Sequence, residues 1–165
     1  MKRIGIISDT HGYWDGKLEE FLAECHEVWH AGDIGSIATA DSIAAFKPLR
    51  AVHGNIDDSL VRRAYPAHLG FKCEGVEVFI THIGGYPGNY ERSARALIEL
   101  RKPKLFVCGH SHILKVIFDQ KYQMLHVNPG AAGNRGIHKV RTAVRLTIDG
   151  EDMTGMEVID IPRGV

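Results

Sequence analysis

The chain has 165 residues, with 20 Lys and Arg balancing 20 Asp and Glu for a formal net charge of zero. That balance excludes an overall field favouring long nucleic acid or an anionic membrane surface. Hydrophobic residues at 44% and charged residues at 24% describe an ordinary globular chain of single-domain length, so one domain over residues 1–165 is expected.

The first strand-like run covers residues 2–8, with Ile4, Ile6 and Ile7, and breaks abruptly into Asp9-Thr10-His11-Gly12. It is too short for a signal-peptide core or a membrane span. Three widely spaced cysteines, Cys25, Cys73 and Cys108, suit a reducing compartment better than a disulfide framework, so a cytoplasmic protein is expected. Each reads as an inert thiol of the core or near the surface. Cys108, two residues before His110, is weighed as a nucleophile and set aside, because a ligand role for His110 explains more.

A helix is predicted over residues 16–24, from Leu18, Phe21 and Leu22 at helical spacing. A strand over 28–30 follows, closed by Gly32-Asp33, then a helix over 38–46 and a strand over 49–52 that ends in His53-Gly54-Asn55-Ile56-Asp57. Such a βαβαβ opening implies parallel strands whose polar loops gather at one edge, where open α/β sheets carry their sites. Residues 69–73 and 76–81 read as a hairpin running into His82, and residues 84–89 as a loop. A helix over 91–100 and a buried strand over 105–108 lead to Gly109-His110-Ser111-His112. Further strands are expected over 113–118, 124–128, 143–148 and 156–161, enough for two sheets.

Five segments that end or follow apolar strands therefore carry groups able to bind metal: Asp9 with His11, Asp33, Asn55, His82, and His110 with His112. Any one alone reads as a cap or a surface turn. Their recurrence at the same topological position argues for a shared centre. The mixture of carboxylate, imidazole and amide oxygen suits Mn, Fe, Zn or Ni, and the scattered cysteines argue against a thiolate site. Seven ligands exceed the needs of one ion, so two ions sharing the Asp33 carboxylate are the economical count. Gly12, Gly32, Gly54 and Gly109 let the backbone turn or approach the ions closely. Neither a GxGxxG dinucleotide fingerprint after the first strand nor a GxxxxGK[ST] phosphate loop occurs.

The ordered set Asp9-Thr10-His11, Gly32-Asp33, Gly54-Asn55-Ile56-Asp57, Thr81-His82 and Gly109-His110-Ser111-His112, with Asn128-Pro129-Gly130 behind it, resembles the calcineurin-like metallophosphoesterases. The likeness is greatest to their small single-domain phosphodiesterase branch. It implies an α/β fold, a four-layer α-β-β-α sandwich of two mixed sheets flanked by helices. It also implies that Asp9, His11 and His112 hold one divalent ion, Asn55, His82 and His110 the other, and that Asp33 bridges them, manganese being the expected metal with iron, nickel or zinc as alternatives. The same seven residues would carry hydrolysis of a small phosphate ester through a metal-activated water, with no long nucleic acid and no membrane as partner. Phosphomonoester hydrolysis is the alternative within enzymes, and a protein-binding scaffold with a retained metal site the alternative outside them.

One departure stands out. Many relatives place a proton-donating His directly after Gly-Asn, where this chain has Ile56, which cannot transfer a proton. That shifts the expected substrate toward phosphodiesters or activated esters, with His53 as a weak substitute donor. His30 is weighed as a hydrogen-bonding support for a ligand, whereas His26, His68, His126 and His138 read as surface or structural residues. Arg135 is a candidate for a substrate phosphate, and Arg62-Arg63 a solvated pair. Trp14, Tyr86 and Tyr90 are candidate walls for a nucleoside or aryl group, or simply loop anchors. Apolar positions in the late strands are compatible with a homo-oligomer.

Overall fold

A computed structural model describes residues 1–163. The chain runs β1 (Lys2–Ile7), α1 (Gly16–Leu22), β2 (Glu27–His30), α2 (Ile37–Phe46), β3 (Leu49–Ala51), α3 (Ser59–Ala64), β4 (His68–Cys73), β5 (Val76–Thr81), β6 (Gly85–Tyr86) and β7 (Asn89–Tyr90). It continues through α4 (Arg92–Arg101), β8 (Leu105–Val107), β9 (Leu114–Asp119), β10 (Met124–Pro129), β11 (Val140–Asp149) and β12 (Asp152–Pro162).

Two five-stranded mixed sheets form, ordered β12-β11-β1-β2-β3 and β4-β5-β8-β10-β9. β1, β2 and β3 pair in parallel in the first, as do β5, β8 and β10 in the second, while the outer pairs are antiparallel. Strand alternation decides which side chains meet between the sheets. Ile4, Ile6, Trp29 and Val144 of the first face Val78, Ile80, Val107 and Val127 of the second. On the outer face of the first sheet Ile7 and Val28 meet Leu18 and Leu22 of α1 and Ile43 of α2, and on the outer face of the second Phe79 and Phe106 meet Ala94 and Ile98 of α4. The expected four layers follow from these three contact zones.

Each helix starts on a side-chain cap that accepts a first-turn N–H: Asp15 for α1, Ser36 for α2, Asp58 for α3 and Glu91 for α4. α1 ends at Leu22, two residues before the predicted boundary. Two features go beyond the predicted elements: α3, whose six residues bury only Val61, and the two-residue strands β6 and β7, which begin inside the predicted loop and end at Tyr90, just past it. β9 is an edge strand that leaves Val116, Ile117 and Phe118 exposed. Among the described residues no helix is long and apolar enough to cross a membrane.

Candidate metal centre

The C-terminal ends of β1, β2, β3, β5 and β8 lie along one edge of the sandwich, and the loops leaving them are tied to one another through backbone groups. Asp9 N–H donates to the Gly32 carbonyl at 2.9 Å, His11 N–H to the Asp33 carbonyl at 3.0 Å, and Gly109 N–H to the His82 carbonyl at 2.9 Å. The two sheets are joined here by His110 N–H, which donates to Asp9 Oδ2 at 3.0 Å. Ser8 Oγ donates to the same oxygen at 2.6 Å, so Asp9 Oδ2 is satisfied from behind and Oδ1 is turned to the centre.

Two groups of donors converge. Asp9, His11 and His112 offer atoms lying within 4.8 Å of one another, and so do Asp33, His82 and His110. Asp33 Oδ2 is 3.7 Å from His11 Nε2 and 3.2 Å from His82 Nε2, placing this carboxylate between the two groups. His112 Nε2 is 3.2 Å from Asp9 Oδ1. Asn55, the seventh expected residue, also reaches the site: its Oδ1 accepts from His110 Nδ1 at 3.1 Å. That oxygen keeps a second lone pair.

The hydrogen bonds behind these rings fix which nitrogen carries the proton. A carbonyl oxygen only accepts, so His82 Nδ1 donates to the Ala31 carbonyl at 2.8 Å, and in the neutral ring Nε2 presents a lone pair to Asp33. His138 Nε2 donates to the Gly133 carbonyl at 2.8 Å, so His138 Nδ1 is the acceptor for His112 Nδ1 at 3.2 Å. His112 Nε2 is thereby left with its lone pair toward Asp9. Burial lowers the pKa of His138 and keeps it neutral, as this relay requires. His138 thus orients the His112 ring, more than the surface or structural place expected of it. Its 26-residue separation from His112 hides the pairing.

These lone pairs face carboxylate oxygens with no donor between them. Asp9 Oδ1, His11 Nε2 and His82 Nε2 are all buried and all without a hydrogen-bond partner. Leaving such groups bare costs about 1–3 kcal/mol apiece, more where charge is involved. A cation satisfies all three together, so the donor set fits the divalent ions expected from its chemistry. Burial works against protonating His82, yet the Asp33 and Asp9 carboxylates outweigh it and raise the ring's pKa. Burial likewise opposes ionisation of Asp9, but contacts with His11, His112, His82 and Ser8 hold it well below the usual carboxylate range.

Backbone strain is concentrated at the same place. Among the described residues eight non-glycine residues have positive φ, and five of them are Asp9, His11, Asp33, His110 and His112. Two glycines have a specific reason to be there: a Cβ on Gly54 would collide with the Asp33 carboxylate, and one on Gly109 with Ser8 Oγ.

Residues outside the ligand set shape the loops. The buried Asp57 accepts from Ile34, Gly35 and Gly54 N–H groups, stapling the Asp33 loop to the Asn55 loop. Ile56 contributes through its backbone, its N–H donating to Asp33 Oδ1 at 3.1 Å, while its side chain is exposed. Arg62 is not merely a solvated charge: its guanidinium donates to the carbonyls of Gly54, Asn55 and Asp57. Asn128 holds the His110 loop through the Gly109 carbonyl and Ser111 Oγ.

His30 is fully buried. Its Nδ1 accepts from Gly32 N–H, which leaves Nε2 to donate to Thr10 Oγ1 at 2.9 Å. Desolvation pushes its pKa down to about 4 and keeps the ring neutral, so it supports the ligand loops without offering an atom to the centre. His53 lies in a neighbouring groove with Asn55, its Nδ1 donating to the Tyr65 carbonyl at 2.9 Å. Trp14 turns away from the centre, packs on Phe46 and donates to Glu19, which removes it as a substrate wall. Tyr90 is a buried anchor donating to Asp119 at 2.6 Å, whereas Tyr86 is exposed. Arg135 lies near His11 in a shallow depression. Cys108 is buried and its pKa is pushed up to about 12 by desolvation, which leaves it no thiolate character.

Residues 1–151 match the model of the calcineurin-like phosphoesterase superfamily domain. The chain belongs to that superfamily. No curated protein matches it in sequence. Among solved structures, the chain is similar to a Thermotoga maritima protein, 23% identical, with 98% of this chain and 100% of that one covered and a TM-score of 0.72. A conserved uncharacterised protein of Streptococcus pneumoniae, described as a predicted phosphoesterase, is 21% identical over 90% of this chain and 83% of that one, with a TM-score of 0.68. Vps29 of Entamoeba histolytica, solved in complex with zinc, is 17% identical over 96% and 98% of the two chains, with a TM-score of 0.74. At these identities the likeness is one of fold.

Proposed function

We propose that the chain is a dinuclear metal-dependent phosphoesterase that hydrolyses small phosphate diesters. The observation that carries this reading is the trio of buried, unpartnered atoms Asp9 Oδ1, His11 Nε2 and His82 Nε2, whose lone pairs a cation would satisfy together. Asp9, His11 and His112 are read as ligands of one ion and Asn55, His82 and His110 as ligands of the other, with Asp33 between them. Two divalent ions held there would supply an activated water and neutralise charge on the phosphoryl oxygens. Manganese is the expected metal, with iron, nickel and zinc as alternatives.

What the chain itself does is hold donors in place. Ala31, Asn55 and His138 each accept the Nδ1 proton of one ligand imidazole, so the three rings need no reorientation to bind. Ile56 anchors Asp33 by its N–H and contributes no proton, which favours diesters or esters with good leaving groups over monoesters. Manganese-loaded protein is expected to hydrolyse bis(4-nitrophenyl) phosphate, and Asp33→Ala to abolish the rate while preserving the circular dichroism spectrum. A higher rate on 4-nitrophenyl phosphate reverses the substrate class. Absence of turnover with all four metals and both esters leaves the scaffold reading in its place.

A further inference from the structure

The metal centre opens on one side into a cleft of about 480 Å³ between the β6–β7 hairpin and β9. His110 and Ser111 form its end at the centre, Ile83 and Tyr86 line it from the hairpin side, and Ile113 and Lys115 from the β9 side. Lys115 Nζ stands 5.5 Å from the centroid of the Tyr86 ring, so the two sides approach each other across the mouth. Tyr86, Ile83 and Ile113 are large apolar or aromatic side chains left exposed to solvent.

The floor of this cleft includes His126, on β10, which the mechanism does not use. Its side chain is fully buried and neither ring nitrogen has a hydrogen-bond partner. Outside the metal centre no other described residue has two such atoms. A neutral imidazole carries one donor and one acceptor, and buried polar groups in folded proteins are nearly always paired. Desolvation, helped by Lys115, pushes the pKa of His126 down to about 4, so the ring offers hydrogen bonds and no charge.

We infer that the cleft is a subsite for a planar, uncharged heteroaromatic ring carried by the phosphodiester, a nucleobase being the type, whose edge pairs with His126 and whose face lies against Tyr86. The inference rests on the phosphodiesterase reading for its phosphate, which belongs at the adjoining metal centre. An alkyl chain would fill the cleft and leave both nitrogens of His126 bare. A second phosphate would find a single cation, Lys115, engaged with the Tyr86 ring at the mouth, the Glu91 carboxylate in the same lining, and a neutral imidazole at the floor. A heteroaromatic ring with edge nitrogens or carbonyls satisfies the walls and the floor together.

The test measures binding without turnover, so that it stands apart from the test of hydrolysis. Manganese-loaded protein is titrated calorimetrically with the four common nucleoside monophosphates, phenyl phosphate and cyclohexyl phosphate. At least one nucleotide is expected to bind about tenfold more tightly than either control. His126→Phe, which preserves the ring shape among Tyr90 and Phe106, is expected to erase that preference, and Tyr86→Ala, at an exposed position, to reduce it. Equal affinity for nucleotides and both controls overturns the subsite, whether or not the protein hydrolyses bis(4-nitrophenyl) phosphate. A nucleotide preference that survives both substitutions also overturns it, and points to an ordered water as the partner of His126.

Discussion

Replacing His138 with Leu isolates the role of a residue that would touch no ion. The substitution removes the acceptor 3.2 Å from His112 Nδ1 and with it the constraint that keeps the proton off Nε2. His112 then exchanges freely between tautomers, one of which points N–H at Asp9 Oδ1 and cannot ligate. Partners of this kind are worth about 10- to 100-fold in metal affinity, or about 1.4–2.8 kcal/mol. The lower end is expected, because His112 is partly exposed and water can replace the lost acceptor. The assay is a competition titration against a chromophoric chelator with two ions per chain. His138→Leu should weaken the ion of the Asp9, His11 and His112 group and leave the other step in place, and His138→Gln, which retains an acceptor, should recover part of the loss. Wild-type affinity in His138→Leu, or equal weakening of both steps, would refute the relay.

Three further outcomes are expected. Asp15 caps α1 and accepts two hydrogen bonds from the buried Arg141, at 2.8 and 3.1 Å; Asp15→Asn should cost about 2–3 kcal/mol in urea denaturation, since it leaves Arg141 without its counter-charge. The Arg141 hydrogen bonds hold the Asp15 pKa below 3.8 against opposing burial, so this contribution is present at neutral pH and is lost as pH falls through the folded-state pKa. The stability gap between wild type and Asp15→Asn should therefore close in acid, and a gap constant to pH 2 would count against the assignment. Manganese at about 100 times its dissociation constant should add about 2.7 kcal/mol of stability that chelation reverses, read as a shift in Tm, and an unshifted Tm would show that the folded state does not bind the ion. Ile56→His places a proton donor on an exposed side chain while the backbone still holds Asp33; the rate on an alkyl diester should rise about tenfold and that on bis(4-nitrophenyl) phosphate stay level.

The loops that carry the candidate ligands were legible because apolar runs such as Ile4–Ile7 end abruptly in polar clusters, and because a parallel βαβαβ order forces those clusters to one edge. Element boundaries were less so: nothing in the residues after Leu22 tells where α1 stops, and α3 buries too little to leave a periodic pattern. Of the support behind the candidate ligands only His30 was legible, from its place beside Gly32-Asp33 at a strand end. His138 meets His112 across 26 residues, Asp57 meets Ile34 across 23, and Arg62 serves carbonyl groups that carry no sequence signature. Hydrogen bonds to backbone oxygen depend on where the chain folds back, and any residue type can provide that oxygen. His126 escaped for the opposite reason, since it has no partner to suggest a role.

Backbone strain argues separately against reading these loops as ordinary caps. A non-glycine residue in the left-handed region costs about 1 kcal/mol, so Asp9, His11, Asp33, His110 and His112 together withhold about 5 kcal/mol from a fold whose whole stability is of order 5–15 kcal/mol. Glycine at any of the five would remove that cost, and a turn needs nothing more from these positions. The strain persists because neighbouring groups over-determine it, through Asp9 N–H on Gly32, His11 N–H on Asp33 and His110 N–H on Asp9. What the strained residues achieve, and glycine could not, is to aim two carboxylates and three imidazoles at one volume. With the rings neutral, the same arrangement sets lone pairs against carboxylates, a second cost that a bound cation would offset. Both costs fall in one place, which is what a centre adapted to bind cations predicts and what a set of ordinary caps does not.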